Sequence, residues 1–268
     1  MASANNLQLL DERGWRQGFA NMFRKESGEW WHTRRWWVQS LLWLVIVNGI
    51  LAIGLWVVPV QDPTEAMDAA GNLDVFMKLM AFFPMFSVIT IIQGTIIGEK
   101  QSGTAAWILS APVSRSGFIL AKLFANALGF LVTTIIFQGL VACAQISLSE
   151  GSLLSPGLFL PSLALTSLYL LFYLALTLML GTLFSSRGPV LGIAIGVAVG
   201  SMMGMGQLLS GFLPWLVLIL PEAIPGLVSM LIAGGPIPAV WPVPIVAISL
   251  YVVLFVALAI WRFNREEF

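Results

Sequence analysis

The chain has 268 residues, of which 58% are hydrophobic and only 10% are charged, with 13 basic and 13 acidic side chains. Because soluble domains carry about 25% charged residues, this composition excludes a soluble enzyme, a disordered chain and a disulfide-stapled secreted module. The apolar segments do not alternate with polar residues, which excludes a membrane β-barrel as well.

Residues 1–36 are polar and basic, and we expect them to form a cytoplasmic or interfacial elbow segment. Trp15, Phe19, Met22 and Phe23 fall on one helical face,. A basic amphipathic helix with aromatic residues on its apolar face lies flat in the membrane interface. Two interpretations stay open: the elbow helix braces the bundle, or it is a passive anchor.

Six uncharged windows follow, and each reaches the length of roughly 20 residues that a helix needs to cross a bilayer core,. The predicted fold class is therefore an all-α polytopic membrane protein, with a six-helix transmembrane domain over 37–268. The predicted spans are Trp37–Val58, Leu79–Gly98, Leu123–Ile146, Phe159–Phe184, Val190–Phe212 and Ile245–Trp261.

The placement of basic residues predicts the orientation, because Lys and Arg favour the cytoplasmic side of a membrane. With both termini in the cytoplasm, Lys78 is the only Lys or Arg that falls on the outer side. We therefore expect a multi-pass protein of the inner (plasma) membrane with both termini inside.

The loop between the second and third spans, residues 99–116, predicts a short helix parallel to the membrane. Gly103 can end the incoming helix in a left-handed conformation. Thr104 can cap a new helix of about residues 105–110, and Pro112 stops it. The third span then begins at a cap supplied by Ser114 or Ser116.

The short helix carries Trp107 and Ile108. A large aromatic side chain exposed on a rigid helix is the type of residue that anchors a protein interface. This loop is therefore the candidate contact with a cytoplasmic partner.

The order and spacing of residues in this loop resemble the type-2 exporter permeases of ATP-binding-cassette (ABC) transporters, in the half-size branch with six spans. The similarity covers about 94–125 and the entry segment 21–36, where a dense run of tryptophans departs from the family pattern. The residues that carry the loop motif are Glu99, Gly103, Thr104, Leu109, Ser110, Pro112, Val113, Ser114, Arg115 and Lys122.

The resemblance implies a cytoplasmic P-loop ATPase subunit that binds ATP and Mg and docks on the short helix, and a second, identical or different, permease subunit. This chain has no GxxxxGK[ST] phosphate-binding loop,, so we expect no catalytic residue and no cofactor in it, with ATP hydrolysis in the partner. The implied coupling residues are Glu99, Gly103, Thr104, Trp107, Ile108, Pro112, Ser114 and Arg115.

The fifth predicted span carries Gly192, Gly196, Gly200 and Gly204 at every fourth position. Four-residue spacing places them on one stripe, and a stripe of small residues lets a second helix approach closely in a membrane. The stripe either faces another permease subunit or packs within its own chain.

The stretch 213–242 is apolar but contains six prolines, which interrupt helices,. We expect two short re-entrant helices at the outer face, forming a packed lid before the last span, since broken backbone at membrane depth must be covered by protein. The alternative is a proline-rich surface loop.

Polar residues within the spans are few. No charged residue lies near the middle of a span, which disfavours an ion-coupled transporter. Met202, Met203 and Met205 lack nearby Cys or His, so we expect core packing rather than a metal site. The candidate passage-lining residues are Asn48, Gln93, Gln138 and Gln207, and the favoured alternative for such residues is that they hold helices together.

The leading function is a membrane-embedded permease subunit that a separate ATPase drives, with no role for nucleic acid. The alternative is a membrane subunit that transmits ATPase motion to an extracytoplasmic protein without moving a solute. An intramembrane serine protease is disfavoured, because no GxSxG motif occurs and the one histidine, His32, precedes the first span,.

Overall fold

The computed structural model describes residues 14–236 and 239–266. Every regular element within these ranges is a helix, which confirms the all-α fold class. Residues 1–13 of the predicted elbow segment and residues 237 and 238 of the predicted lid lie outside the described residues. The helices are α1 (Phe19–Trp31), α2 (Arg35–Gln61), α3 (Ala69–Gln101), α4 (Thr104–Ser110), α5 (Arg115–Glu150), α6 (Pro156–Leu183), α7 (Arg187–Met202), α8 (Met205–Ser210), α9 (Leu216–Ile219), α10 (Ala223–Ile232) and α11 (Pro242–Asn264).

Five helices, α2, α3, α5, α6 and α11, are long and apolar enough to cross a membrane. They coincide with the first four predicted spans and the last. α2, α3, α5 and α11 extend beyond the uncharged core of their spans, whereas α6 lies entirely within its uncharged window. The chain is therefore a multi-pass membrane protein.

The fifth predicted span, Val190–Phe212, is divided. Its first part is α7, which ends at Met202 with Met203 as its C-cap; Gly204 then adopts φ +69°, and α8 begins. The 16 residues of α7 extend for about 24 Å at 1.5 Å per residue, which is shorter than the roughly 30 Å core of a bilayer. A crossing here depends on α7 and the broken segment after it.

α6 forms the centre of the bundle, with α3 and α11 packed along it. Two thirds of its apolar window is buried, 67%, against 28% for α2 and 17% for α11. α2 and α11 therefore present most of their surface to lipid. Aromatic rings join α6 to α11, where Phe172 lies 5.5 Å from Phe255 and 6.1 Å from Tyr251 between ring centroids.

Several polar contacts gather helix ends at one end of the bundle. Lys100, at the end of α3, pairs with Glu266 at 2.8 Å and donates a hydrogen bond to the carbonyl of Thr182 at 3.0 Å. Gln101 donates to the carbonyl of Ser185 at 3.0 Å. The ends of α3, α6 and α11 therefore meet on the side where α4 lies.

The proline-rich stretch contains two helices, α9 and α10, as the sequence predicts. α10 packs against α6 and α3 and buries Ile224, Val228 and Ile232. This segment is therefore part of the bundle rather than a loop in solvent. Its depth in the membrane stays a prediction.

Candidate functional site

The α3–α4 junction turns the chain sharply at the end of the bundle. Gly103 has φ +72°, a left-handed conformation that glycine adopts without a Cβ clash,. Gly103 itself, rather than Thr104, occupies the N-cap position, and Thr104 is the first helical residue. The Ser102 hydroxyl lies 2.8 Å from the Thr104 hydroxyl, within hydrogen-bond distance at the first turn of α4.

α4 is a helix of seven residues with one buried face and one exposed face. Ile108 is 9% exposed and faces the bundle, whereas Trp107 is 76% exposed. The Ser110 hydroxyl donates a hydrogen bond to the carbonyl of Trp107 at 2.7 Å, and the helix ends before Pro112. The geometry therefore presents an indole ring to the solvent from a fixed support.

Ser114 is the residue that begins α5 and ties the loop to the N-terminal segment. Its hydroxyl accepts a hydrogen bond from the Gly117 amide at 2.9 Å, so it is the cap that the sequence predicts,. The same hydroxyl donates to the carbonyl of Trp15 at 2.9 Å, and the Ser114 amide donates to the carbonyl of Gln17 at 2.9 Å. The two segments therefore form one unit.

Arg115 connects the loop to the last helix. Its guanidinium donates hydrogen bonds to the carbonyls of Phe263 at 3.1 Å, Asn264 at 2.9 Å and Glu266 at 2.6 Å. Carbonyl groups at a helix C-terminus lack intrahelical partners, and a cation there also complements the helix dipole. Arg115 is therefore the C-terminal cap of α11.

A cluster of four charges, which we call the charge quartet, lies behind the loop. It joins Lys25 and Glu26 of α1, Glu99 of α3 and Lys122 of α5. Lys25 Nζ lies 2.6 Å from a Glu99 oxygen and 3.1 Å from a Glu26 oxygen. Lys122 Nζ lies 2.8 Å from Glu26 and 3.0 Å from Glu99. Two cations and two carboxylates thus alternate across three helices.

The members of the charge quartet differ in exposure. Lys122 and Glu26 are 2% and 3% exposed, whereas Lys25 reaches the solvent. Burial lowers the pKa of Lys25, but its hydrogen bond to Glu99 and the nearby carboxylate charges raise it, and the net pKa lies above its ordinary value,. The sequence marks two of these residues, Glu99 and Lys122, as members of the loop motif but does not predict that the four charges meet.

Trp30 fixes the other end of α1. Its side chain is fully buried, and its indole nitrogen donates to Asn126 Oδ1 at 3.0 Å. The ring lies on Gly129 of α5, where a Cβ would overlap it. Trp30 therefore packs between α1 and α5, where the missing side chain of Gly129 leaves room for the ring.

The structure brings two of the four candidate passage-lining residues together and places the other two elsewhere. Asn48 and Gln138 are buried partners, with Asn48 Nδ2 2.8 Å from Gln138 Oε1. Gln138 also donates to the carbonyls of Ser40 and Thr133, at 2.9 Å and 3.1 Å. Each helix has a π-helical turn here, Leu44–Asn48 and Leu131–Ile136, and such turns leave carbonyls to be satisfied. These two residues hold α2 to α5.

The other two candidates lie elsewhere. Gln93 is buried on α3, and Gln207 lines a cavity at the opposite end of the bundle from α4. In the part of the chain that the structure describes, no group of three or more His, Cys, Asp or Glu side chains could hold a metal ion.

The glycine stripe has two different environments. A Cβ added at Gly192 or Gly196 would meet no atom of the chain within 4 Å. A Cβ at Gly200 would lie 3.2 Å from the sulfur of Met205, and Gly204 forms the break before α8. The buried face of α7 is formed by Val190, Ala194 and Ala198 instead. The first half of the stripe therefore faces away from its own chain.

The five long apolar helices define a polytopic helical membrane protein. Several of them meet at one end of the bundle, beside the loop that carries the exposed Trp107. The chain belongs to the family described as "Protein of unknown function (DUF2705)", whose pattern matches residues 42–268. It is also similar to the probable ABC transporter permease protein NosY of Pseudomonas aeruginosa, with 25% identity over 257 residues that cover 89% of this chain and 91% of that protein.

Proposed function

We propose that this chain is the transmembrane permease subunit of an ABC transporter and that a separate cytoplasmic ATPase subunit drives it through α4. The observation that carries the proposal is Trp107, which is 76% exposed on a short helix whose Ile108 packs against the bundle. The similarity to a probable ABC transporter permease supports it. ATP and Mg belong to the partner, and this chain supplies no catalytic group.

The contacts around α4 suit it to transmit motion. Ser114 ties the loop to the N-terminal segment, Arg115 ties it to α11, and the charge quartet ties α1 to α3 and α5. A displacement of α4 would therefore move several helices together, which is the behaviour of a lever on a packed and bistable core. The motif residues Glu99, Gly103, Thr104, Ile108 and Pro112 would set the position of this lever.

The proposed topology has six crossings with both termini in the cytoplasm of a cell whose inner (plasma) membrane holds the chain. The ends of α3, α6 and α11 meet beside α4, and α7 begins at the same end, where the Arg187 guanidinium lies 3.9 Å from the Cβ position of Gly98. These contacts support a fifth crossing made by α7 and the broken segment, with α9 and α10 re-entering from the outer face.

The proposed assembly contains two permease subunits. The first half of the glycine stripe, Gly192 and Gly196, is bare on the surface of the single chain. A surface without side chains allows two helix backbones to approach closely in lipid. We therefore place the dimer seam, homodimeric or heterodimeric, along α7, and the family resemblance favours export as the direction of transport.

A membrane subunit that transmits motion to an extracytoplasmic protein is the second candidate. Large apolar side chains cluster after the end of α7, where Phe212 is 85% exposed and Met203 and Leu208 are also exposed. An exposed apolar cluster of this kind marks a protein or membrane contact. It would suit a docked partner at that face.

Docking of the ATPase on α4 is tested by Trp107→Ala. The ATPase would bury the Trp107 ring in the complex, so its loss should weaken binding of the ATPase by about 2 kcal/mol, or roughly thirtyfold in Kd. The measurement is the affinity between the purified permease in detergent and the P-loop ATPase encoded for the same complex, with Trp215→Ala, an exposed tryptophan beyond α8, as the matched control. Unchanged affinity in Trp107→Ala would refute the docking site.

Water access to the proposed dimer seam along α7 distinguishes solute transport from transmission of motion. Gly192→Cys and Gly196→Cys, in a Cys143→Ala background, are treated in the assembled complex with a membrane-impermeant thiol reagent. Labelling that changes with ATP indicates a wet passage and favours transport. A seam that stays unlabelled while an extracytoplasmic protein binds at the outer face favours transmission.

A further inference from the structure

A cavity of about 790 Å³ lies at the end of the bundle opposite α4. Its walls come from α3, α6 and the end of α7, together with α8, α9, α10 and the start of α11. Binding sites for small molecules have volumes of roughly 300–1,000 Å³ and walls that are mostly apolar. The coupling role of α4 makes no use of this cavity.

The interior of the cavity is apolar, with Phe82, Met202, Leu218 and Met230 among its lining residues. The polar groups that reach it are mostly engaged within the protein. The Tyr169 hydroxyl donates to the sulfur of Met85 at 3.2 Å.

Within the described part of the lining, Glu222 has the one carboxyl group, and this group also has protein neighbours. Both of its oxygens are buried against Gly206, without a hydrogen-bond partner among the described residues and without exposure to the cavity. Ser201 and Gln207 are neutral. The interior therefore suits a hydrocarbon chain better than a polar solute.

The rim of the cavity carries the groups expected at the headgroup level of a membrane. Lys78 lines it with 61% of its side chain exposed. Its partner is Asp74, one turn earlier on α3 at 2.6 Å, and exposed pairs of this kind are weak and exchange readily. Trp241, also in the rim, has the amphipathic ring that favours the membrane interface,.

We propose that this cavity binds a phospholipid of the surrounding leaflet, with an acyl chain inside and the phosphate paired with Lys78. Among the described residues of the cavity lining, Lys78 is the one cation, and it lies where the apolar length of α3 begins. The phosphate exchanges for Asp74 as the partner of the ammonium group. The site is independent of an ATPase partner and of which face of the membrane is cytoplasmic.

The test uses the full chain in liposomes of phosphatidylethanolamine and phosphatidylglycerol that contain a phospholipid with a diazirine in its acyl chain. Photolysis and peptide mapping should find label on Met202, Met203 and Met230, above the level on lipid-facing residues of α2 such as Val45. Labelling of the cavity residues no higher than that of α2 would overturn the proposal.

Gly226 offers a variant that fills the cavity. It lines the cavity, and a Cβ there would meet no atom within 4 Å, so Gly226→Leu should fold and reduce cavity labelling several-fold. The matched control is Gly157→Leu at the start of α6, where the one neighbour is the Ser155 hydroxyl at 3.7 Å. A second filling variant, Met230→Trp, keeps the test decisive if Gly226→Leu misfolds. Labelling that both filling variants leave unchanged would overturn the site.

The phosphate contact is tested with Lys78→Gln. This variant should lose labelling by the phospholipid several-fold but keep labelling by a diazirine fatty alcohol, which has no phosphate. Equal labelling of wild type and variant by both probes would overturn the role of Lys78. Loss of both probes would also overturn it, because Lys78 would then support the cavity itself.

Discussion

At the scale of single residues, the charge quartet places charged side chains in the interior of the bundle. Removing a buried charge from water costs several kcal/mol unless partners compensate it, and Lys122 and Glu26 are almost completely buried. Each has an opposite charge within 3.0 Å. The quartet is therefore stable as a set, and the removal of one member leaves the others uncompensated.

This gives a prediction for Lys122→Met. Two carboxylates would then face each other with Lys25 as their shared cation, so we expect a loss of about 3–5 kcal/mol in the free energy of unfolding. The measurement is unfolding of the purified protein in detergent.

The control is Lys78→Met, which breaks an exposed pair and should cost less than about 1 kcal/mol. The double variant Lys122→Met/Glu26→Gln should recover part of the loss, because it removes one of the unpaired carboxylates. Equal losses for Lys122→Met and Lys78→Met would contradict the buried network.

At the scale of elements, the N-terminal helix is a structural part of the bundle. α1 is fixed at its start by the hydrogen bonds of Trp15 and Gln17 to Ser114, in its middle by the charge quartet, and at its end by Trp30. Of the two interpretations that the sequence leaves open, these contacts favour the brace.

The packing of Trp30 on α5 can be tested at Gly129. A side chain there would overlap the indole ring, so Gly129→Leu should displace α1 and cost about 1–3 kcal/mol as an overpacked contact. Faster proteolysis between α1 and α2 would report the displacement.

Gly28→Ala is the control, because its new methyl group would lie 3.4 Å from the movable His32 ring. Combining Gly129→Leu with Trp30→Ala should cost less than the sum of the single variants. Additive losses would show that the two residues do not share the site.

The sequence predicts most helices because uncharged windows report membrane spans directly. Local signals also identify the turn at Gly103 and the cap at Ser114 correctly. The sequence does not predict the break at Gly204. A glycine within a stripe of glycines is expected to pack against another helix rather than to end its own helix. It also does not predict the pairing of Glu26 with Lys122, because that contact joins residues 96 positions apart.

At the scale of the whole molecule, a single chain leaves much apolar surface without protein partners. Lipid covers most of it in any multi-pass protein, but the bare half of the glycine stripe is different, because a surface without side chains packs better against another helix than against disordered lipid. This surface is where we expect the second subunit.

Gly196→Leu tests the seam. Its Cβ would meet no atom of its own chain, so the folded subunit and its melting temperature should change little. The dimer should dissociate to monomers, because leucine side chains would keep the two helices apart. Light scattering after size-exclusion chromatography measures this.

Gly157→Leu, a matched substitution in the first turn of α6, should leave the dimer intact. A dimer that survives Gly196→Leu would exclude α7 as the seam.

The hydrogen bond from Arg115 to Phe263 spans 148 residues of sequence, which has a consequence for biosynthesis. A ribosome adds about 5–20 residues per second, so the nascent loop waits on the order of ten seconds for its last partners. Until α11 emerges, Arg115 and Lys100 lack the carbonyls and the carboxylate that fix the loop. A partly translated chain would already be inserted in the membrane, but its loop would lack the contacts to α11 that hold it in the complete chain.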